Sequence, residues 1–287
     1  MLEVNQLTFK YASSNHDASK AGIDHVSFTA QCGKMTVILG PNGAGKTTLF
    51  RSILGALTAQ SGCVRVQGKD LAGLSTRERA RHLAYVPQEW QSPFRFTVLE
   101  AVVMGFSARL SLLATPGARE EREAMMRLES LGIAHLAQRG IDEISGGERQ
   151  LALLARALLQ KAPAILLDEP TSHLDLSNQM KVLGMLASSV RQDGLTAVVT
   201  IHDPNLAAQF ADYVVMIKEG RIFAEGDMAS IMRAEVLEAL YQHPIEMTML
   251  SGRPIMRGKQ GLLQDTNKPI ESNGAFLMSK SDLNSSF

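Results

Sequence analysis

Three stretches of the chain gather residues suited to work on a polyphosphate. The first is Gly40-Pro41-Asn42-Gly43-Ala44-Gly45-Lys46-Thr47, which follows the apolar run Met35 to Leu39 and opens a segment with apolar residues at Leu49, Phe50, Ile53 and Leu54. Glycines at this spacing let successive backbone N–H groups turn onto phosphate oxygens, and a helix start adds partial positive charge. Lys46 can then reach the outer phosphates, and the Thr47 hydroxyl can ligate Mg2+. A glycine-rich turn could match by chance, but a strand before it and a helix after it argue for a phosphate loop.

The second stretch is Ala164 to Pro170, in which a buried run ends in two adjacent acids, Asp168 and Glu169. Neighbouring residues at a strand end point to opposite sides, so the two carboxylates can have different tasks. Asp168 is placed to hold a Mg2+ shell, and Glu169 to orient or deprotonate an attacking water. Either acid alone would read better as a charged exit from a strand.

The third is Ile144 to Leu158, where Ser145-Gly146-Gly147-Glu148 leads into a long apolar segment. Ser145 and Glu148 have capping-box spacing, so the motif could simply begin a helix. A Ser followed by two glycines at a helix start is equally an anion site. Both readings stand on these residues alone.

These motifs need elements to hold them. Apolar runs bounded by Gly, Asp or Pro predict buried strands at Met35 to Leu39, Ala164 to Leu167, Thr196 to Ile201 and Tyr213 to Ile217. Helical segments between them make an α/β fold around a mainly parallel sheet. Leu2 to Lys10 and Val26 to Ala30 alternate apolar and polar residues, as strands of an antiparallel β subdomain would. Between Pro87 and Lys161 strand signals vanish, while Thr97 with Glu100 and Ser145 with Glu148 mark helix starts. This stretch, about 88–161, reads as an inserted helical subdomain. A hairpin is expected at about 245–257, around Ser251-Gly252, and residues 258–287 have the Ser, Asn, Gly and Lys content that favours disorder.

Composition narrows the classes. Lys plus Arg total 29 and Asp plus Glu total 29, so no global field calls for nucleic acid or anionic lipid. Cys32 and Cys63 lack disulfide or zinc spacing and are expected to be buried, inert thiols. The first residues lack the pattern of a secretory signal, so the chain is expected to stay where it is made. No apolar run approaches the ~20 residues that span a bilayer, which predicts a soluble protein that works against a membrane. The 14 methionines show no liganding period and read as adaptable core filler.

In order along the chain stand the phosphate loop, Gln88 in Tyr85-Val86-Pro87-Gln88, Ile144-Ser145-Gly146-Gly147-Glu148-Arg149-Gln150, Asp168-Glu169, Ser172-His173-Leu174-Asp175 and His202. Residues 1 to about 257 thereby resemble the ATP-binding cassette (ABC) ATPases, which implies a P-loop NTPase core, ATP and Mg2+ as cofactors, and ATP hydrolysis. By that resemblance Tyr11 stacks on adenine, and Gly40 to Thr47 together with Thr48, Gln88 and Asp168 bind ATP. Thr47, Gln88 and Asp168 hold Mg2+, partly through water, and Glu169, His202 and Lys46 carry catalysis. Ser145, Gly146, Gly147, Glu148 and Asp175 complete the site of a second copy, so a homodimer is implied. Two residues depart from the family pattern: Ile144 replaces the commoner Leu, and Glu148 the commoner Gln. A carboxylate near phosphate is unfavourable unless Glu148 turns back to cap its own helix.

The resemblance admits several biological roles. With no spanning segment and only a compact stretch between Gln88 and Ser145, the chain reads as the motor of a separate integral membrane permease. Long coiled-coil arms, as in soluble ABC proteins of DNA or ribosome metabolism, have no room here, and no nucleic-acid partner is expected. The runs 87–106 and 202–227 and the hairpin are similar to importers of metal chelates (ferric siderophore, haem or cobalamin) of the FecCD-type permease group. Importers of oxyanions such as molybdate share these features and remain an alternative. The implied setting is peripheral, on the cytoplasmic side of the membrane, with an extracytoplasmic substrate-binding protein as an indirect partner. Trp90, Pro93, Phe94 and Phe96 form the densest aromatic cluster. It reads either as subdomain core or as a groove for a permease helix.

Overall fold

The computed structural model describes residues 1–11, 21–90, 94–111 and 114–259. The chain opens with β1 (Leu2–Lys10), β2 (Ala21–Ala30) and β3 (Met35–Leu39), followed by α1 (Lys46–Ile53). Next come β4 (Ser61–Val66), β5 (Lys69–Asp70), α2 (Thr76–Ala80) and β6 (Leu83–Val86), and then α3 (Val98–Val103), α4 (Ala118–Ser130) and α5 (Gly146–Leu159). The second half holds β7 (Ala164–Leu167), α6 (Leu176–Asp193), β8 (Thr196–Thr200), α7 (Pro204–Phe210) and β9 (Tyr213–Lys218). It closes with β10 (Arg221–Asp227), α8 (Met228–Ile231), α9 (Ala234–Tyr241), β11 (Ile245–Leu250) and β12 (Arg253–Gly258).

The main sheet has the order β10-β9-β3-β8-β7-β6, parallel except for the β9–β10 pair. Its inner strands are apolar on both faces, as parallel strands covered on two sides must be. In β3, Met35, Val37 and Leu39 join the core beneath α5, α6 and α7, whereas Ile38 faces the core shared with the second sheet. Strand β7 repeats this, with Ile165 and Leu167 on one side and Ala164 and Leu166 on the other. The second sheet, β2-β1-β4-β5, is antiparallel throughout and encloses α1 against the main sheet.

Among the described residues 88–161 there is no strand, and α3, α4 and part of α5 build a third core. The α5 helix belongs to two cores. Leu151, Ala152, Ala155 and Leu159 face α3 and α4, while Leu153, Leu154, Ala157 and Leu158 face the main sheet. A helix apolar all round is one buried on all sides. Both expected helix starts are reciprocal capping boxes, Thr97 with Glu100 and Ser145 with Glu148.

No helix among the described residues is long and apolar enough to cross a membrane. The expectation for the thiols needs correction. Cys32 is exposed and Cys63 half-buried, because Cys32 sits in the turn after β2, where its Sγ donates to the Gly194 carbonyl at 2.8 Å, and Cys63 lies in β4, in the second sheet. The stretch expected to be disordered lies, from residue 260 on, outside the described residues, and so does Pro93.

Candidate active site

Three neighbouring parallel strands end at one edge of the main sheet, and each delivers a part of the site there. The phosphate loop follows β3, Asp168 and Glu169 follow β7, and His202 follows β8, which lies between the other two. Ligands of open α/β sheets bind at this edge.

The loop closes tightly on itself. Lys46 is buried, and its Nζ donates to the Gly40 carbonyl at 2.7 Å and the Pro41 carbonyl at 3.2 Å. Burial pushes its pKa down, while the charges of Glu169 and Asp168 oppose that. Lys46 also begins α1, so the N–H groups of Lys46, Thr47 and Thr48 belong to a first turn that has no intrahelical partners for them. Gly45 sits at φ 104°, and a Cβ there would lie 2.5 Å from the Gly22 carbonyl oxygen, so only glycine fits. The resulting cavity, about 350 Å3, is lined by Tyr11, Gly22, Asn42 to Thr48 and Glu169. Tyr11 is exposed at its rim, edge-on to Phe9 with 4.9 Å between centroids, and its hydroxyl is 3.0 Å from Thr48 Oγ1.

The two acids differ as their strand-end position predicts. Asp168 is buried, which raises its pKa, and hydrogen bonds from the Thr200 and Thr47 hydroxyls work against that rise. Thr200 Oγ1 donates to Asp168 Oδ1 at 2.8 Å and accepts from the Glu169 backbone N–H at 2.7 Å. Glu169 turns into the left-handed region at φ 47°, an unfavourable conformation for a side chain of its kind. Ser172 holds it there, its N–H and Oγ both donating to the Glu169 carbonyl at 3.1 and 2.8 Å. The carboxylate is gripped at both oxygens: Gln88 Nε2 donates to Oε2 at 2.8 Å, and His202 Nε2 is 2.5 Å from Oε1. Gln88 and His202 are exposed, so this trio faces outward.

The residues also suit a hard cation. The Thr47 hydroxyl lowers the pKa of the Asp168 carboxyl as a hydrogen-bonding neighbour does, and Gln88, bonded to Glu169, carries an amide oxygen as a further oxygen donor. No group of three or more His, Cys, Asp or Glu side chains able to hold a metal occurs among the described residues. That donor set matches Mg2+, which keeps waters and substrate phosphates in its shell.

Ser145, Gly146 and Asp175 lie elsewhere and outward. Gly146 lines a second cavity, about 370 Å3, with Gln88, Trp90, Arg149 and Glu169 among its walls, and contributes nothing to the lining of the phosphate-loop cavity. Glu148 does turn back: its Oε2 accepts from the Ser145 N–H at 2.9 Å and from Ser145 Oγ at 2.7 Å, which holds its pKa below the usual range. Asp175 caps α6, accepting from the Asn178 N–H at 2.8 Å and from Asn178 Nδ2 at 2.9 Å. The aromatic cluster divides. Trp90 packs against two cores beneath Arg156, Phe96 is partly buried, and Phe94 is 69% exposed.

Sequence reasoning missed Thr200 and Asn178. Thr200 had a faint signal, a hydroxyl ending a run of apolar strand residues, but its use depends on β8 lying beside β7, which no local pattern encodes.

Comparison with known proteins gives the family. A family model described as ABC transporter matches residues 23–172. A Helicobacter pylori protein, assigned as an iron chelatin transport ATP-binding protein, is 40% identical over 247 residues, covering 86% of this chain and 94% of its own length. The fold is also similar to an inward-facing ABC transporter assigned to the metal-chelate type, with a TM-score of 0.78 and 31% identity, covering 91% of this chain and 98% of that one. A dimeric bacterial ABC transporter cassette has a TM-score of 0.71 at 26% identity, covering 79% of this chain and 99% of the other.

Proposed function

Because this chain belongs to the ABC transporter family, whose ATP-binding cassettes hydrolyse ATP, we propose that it is the motor subunit that energises a separate membrane permease importing a metal chelate. The observation that carries this reading is Glu169 held between Gln88 and His202. It joins a hydrolytic carboxylate to the residue at which the chain leaves the sheet for its helical part.

In this reading the N–H groups of residues 43–48 and Lys46 bind the phosphates, and Tyr11 receives the adenine. Glu169, oriented by His202 and Gln88, positions the attacking water and accepts its proton. Thr47 and Asp168, with Gln88 through water, would hold Mg2+, which when bound offsets the charge of the phosphates. The cassette acts as a homodimer, in which Ser145, Gly146, Gly147, Glu148 and Asp175 of one copy face the nucleotide of the other. The exposure of Ser145, Gly146 and Asp175 supports this, since it leaves them open to a partner copy. Closing of the dimer moves the helical part, with Phe94 at the permease contact, and hydrolysis resets it. The protein then sits peripherally on the cytoplasmic side of the membrane. The substrate, a ferric siderophore, haem or cobalamin, meets only the permease and an extracytoplasmic binding protein.

The test is a pull-down from detergent-solubilised membranes with tagged Glu169→Gln protein and Mg-ATP. A polytopic membrane protein supports the reading, and uptake assays with that permease then identify the chelate. Recovery of soluble proteins or nucleic acid alone overturns it in favour of a soluble ABC ATPase.

A further inference from the structure

The C-terminal hairpin is bonded to both ends of the helix that follows His202. Strand β12 meets the start of α7 through Asn205, whose Oδ1 accepts from the Met256 N–H at 2.8 Å and whose Nδ2 donates to the Met256 carbonyl at 3.1 Å. That pair imitates one rung of a β-ladder. At the other end Arg253 Nη1 donates to the Ala208 carbonyl at 2.6 Å and also to the Gln209 carbonyl. These are last-turn carbonyls, which a helix leaves without intrahelical donors.

Helix α7 needs such support. It has 7 residues, too few to hold its own geometry in water, and it buries only Leu206, Ala207 and Ala208. Two alanines and a leucine give little interlocking surface against rotation or sliding. Asp203 caps the helix by accepting from the Asn205 N–H at 2.8 Å, so His202 is separated from the helix by that single cap residue. The hairpin in turn is tied to α9, where Glu238 Oε1 accepts from the Ile245 N–H at 2.8 Å. At the end of α9, burial, helped by the charge of Asp203, pushes the Tyr241 phenol up to about 12.

We propose that Asn205 and Arg253 are positioning residues for hydrolysis: through them β12 fixes α7, and α7 fixes the His202 imidazole against Glu169. The proposal rests on the role given above to the His202–Glu169 pair. It makes the hairpin a part of the hydrolytic apparatus, although no hairpin side chain reaches the phosphate-loop cavity.

The experiment is steady-state ATPase kinetics of the full chain carrying Asn205→Ala, Arg253→Ala or Arg253→Lys, each alone and combined with His202→Ala, with thermal melts of every variant. Each alanine variant should lower kcat about five- to twenty-fold with KM for ATP changed less than about two-fold, and Arg253→Lys, which keeps one donor, should recover part of the loss. In the His202→Ala background the same substitutions should cost less than about two-fold, because the residue they act through is gone. Undiminished kcat, an equal loss in both backgrounds, or melting below the assay temperature would each overturn the proposal, the last by showing that the hairpin serves only the fold. If His202→Ala alone turns over normally, the underlying reading of His202 fails and takes the proposal with it.

Discussion

His202 Nε2 lies 2.5 Å from Glu169 Oε1, and the other carboxylate oxygen takes a 2.8 Å hydrogen bond from Gln88. Both oxygens thus face donors, an arrangement only a carboxylate satisfies fully. In Glu169→Gln the amide must turn its NH2 toward one of those donors, and it can no longer accept a proton from water. ATP binding should persist while kcat falls about a hundred-fold or more. With Mg-ATP the variant should run as a stable dimer on size exclusion. Near-normal turnover would remove Glu169 from its role as base.

Thr200 joins the two acids, donating to Asp168 and accepting from the Glu169 N–H. Thr200→Val keeps the shape and removes both bonds, leaving that N–H without its acceptor, at a cost of about 1–3 kcal/mol. Turnover should drop more than stability alone explains, since Glu169 at φ 47° is held partly by this bond. Thr200→Ser should restore both properties, as read by chemical denaturation and ATPase assays; equal loss in the Ser variant would argue that packing, and not the hydroxyl, matters.

Much of this site was legible because its signals are local. Buried strands announce themselves as apolar runs, and β3 and β7 fall where those runs do. The spacing of Ser145 and Glu148 likewise gave the capping box directly. What was not legible depends on pairing between distant segments. Strand β4 carries Ser61, Gly62 and Arg65 and acquires its identity only beside β1, while β5 has two residues. Strand β2 begins at Ala21, five residues before its clear alternation, because β1 supplies partners that far back. The two-sided burial of α5 and the exposure of Cys32 are likewise outcomes of assembly.

Glu148 spends its carboxylate on Ser145, which removes the difficulty of a negative charge beside phosphate. Glutamine can make the same reciprocal cap, so Glu148→Gln should leave the ATPase rate within about three-fold. A loss beyond about ten-fold would show that the carboxylate itself takes part. Stability should respond to charge alone. The folded pKa of Glu148 is lowered from an ordinary 4.5, so its ionised form stabilises the native state above that value. Wild type should exceed Glu148→Gln only slightly at pH 7, because solvent screens a carboxylate this open. The margin should disappear as pH falls from 4.5 through the lower folded value. Denaturant melts at the two ends of that window measure it, and a margin that survives acid would have another source.

Gly147, in the first turn of α5, packs closely against Asn178 in the first turn of α6. A Cβ at Gly147 would lie 2.5 Å from Cγ of Asn178, whose Nδ2 is bonded to Asp175 at 2.9 Å. Asn178 thereby packs against Gly147 while bonded to Asp175, so it lies between two elements that are both proposed to meet the partner copy. In Gly147→Ala the Asn178 side chain must swing away and release Asp175. The monomer can absorb this, because what moves is a side chain at an exposed helix start. Dimerisation cannot, since it needs both elements in register. Placed in the Glu169→Gln background, Gly147→Ala should weaken the Mg-ATP-dependent dimer at least ten-fold while the melting temperature changes by only a few degrees. Asn178→Ala removes the obstacle, so the double variant should dimerise better than Gly147→Ala alone, the non-additivity expected of two coupled neighbours. Additive losses in the double variant would mean that the two residues act on the dimer separately.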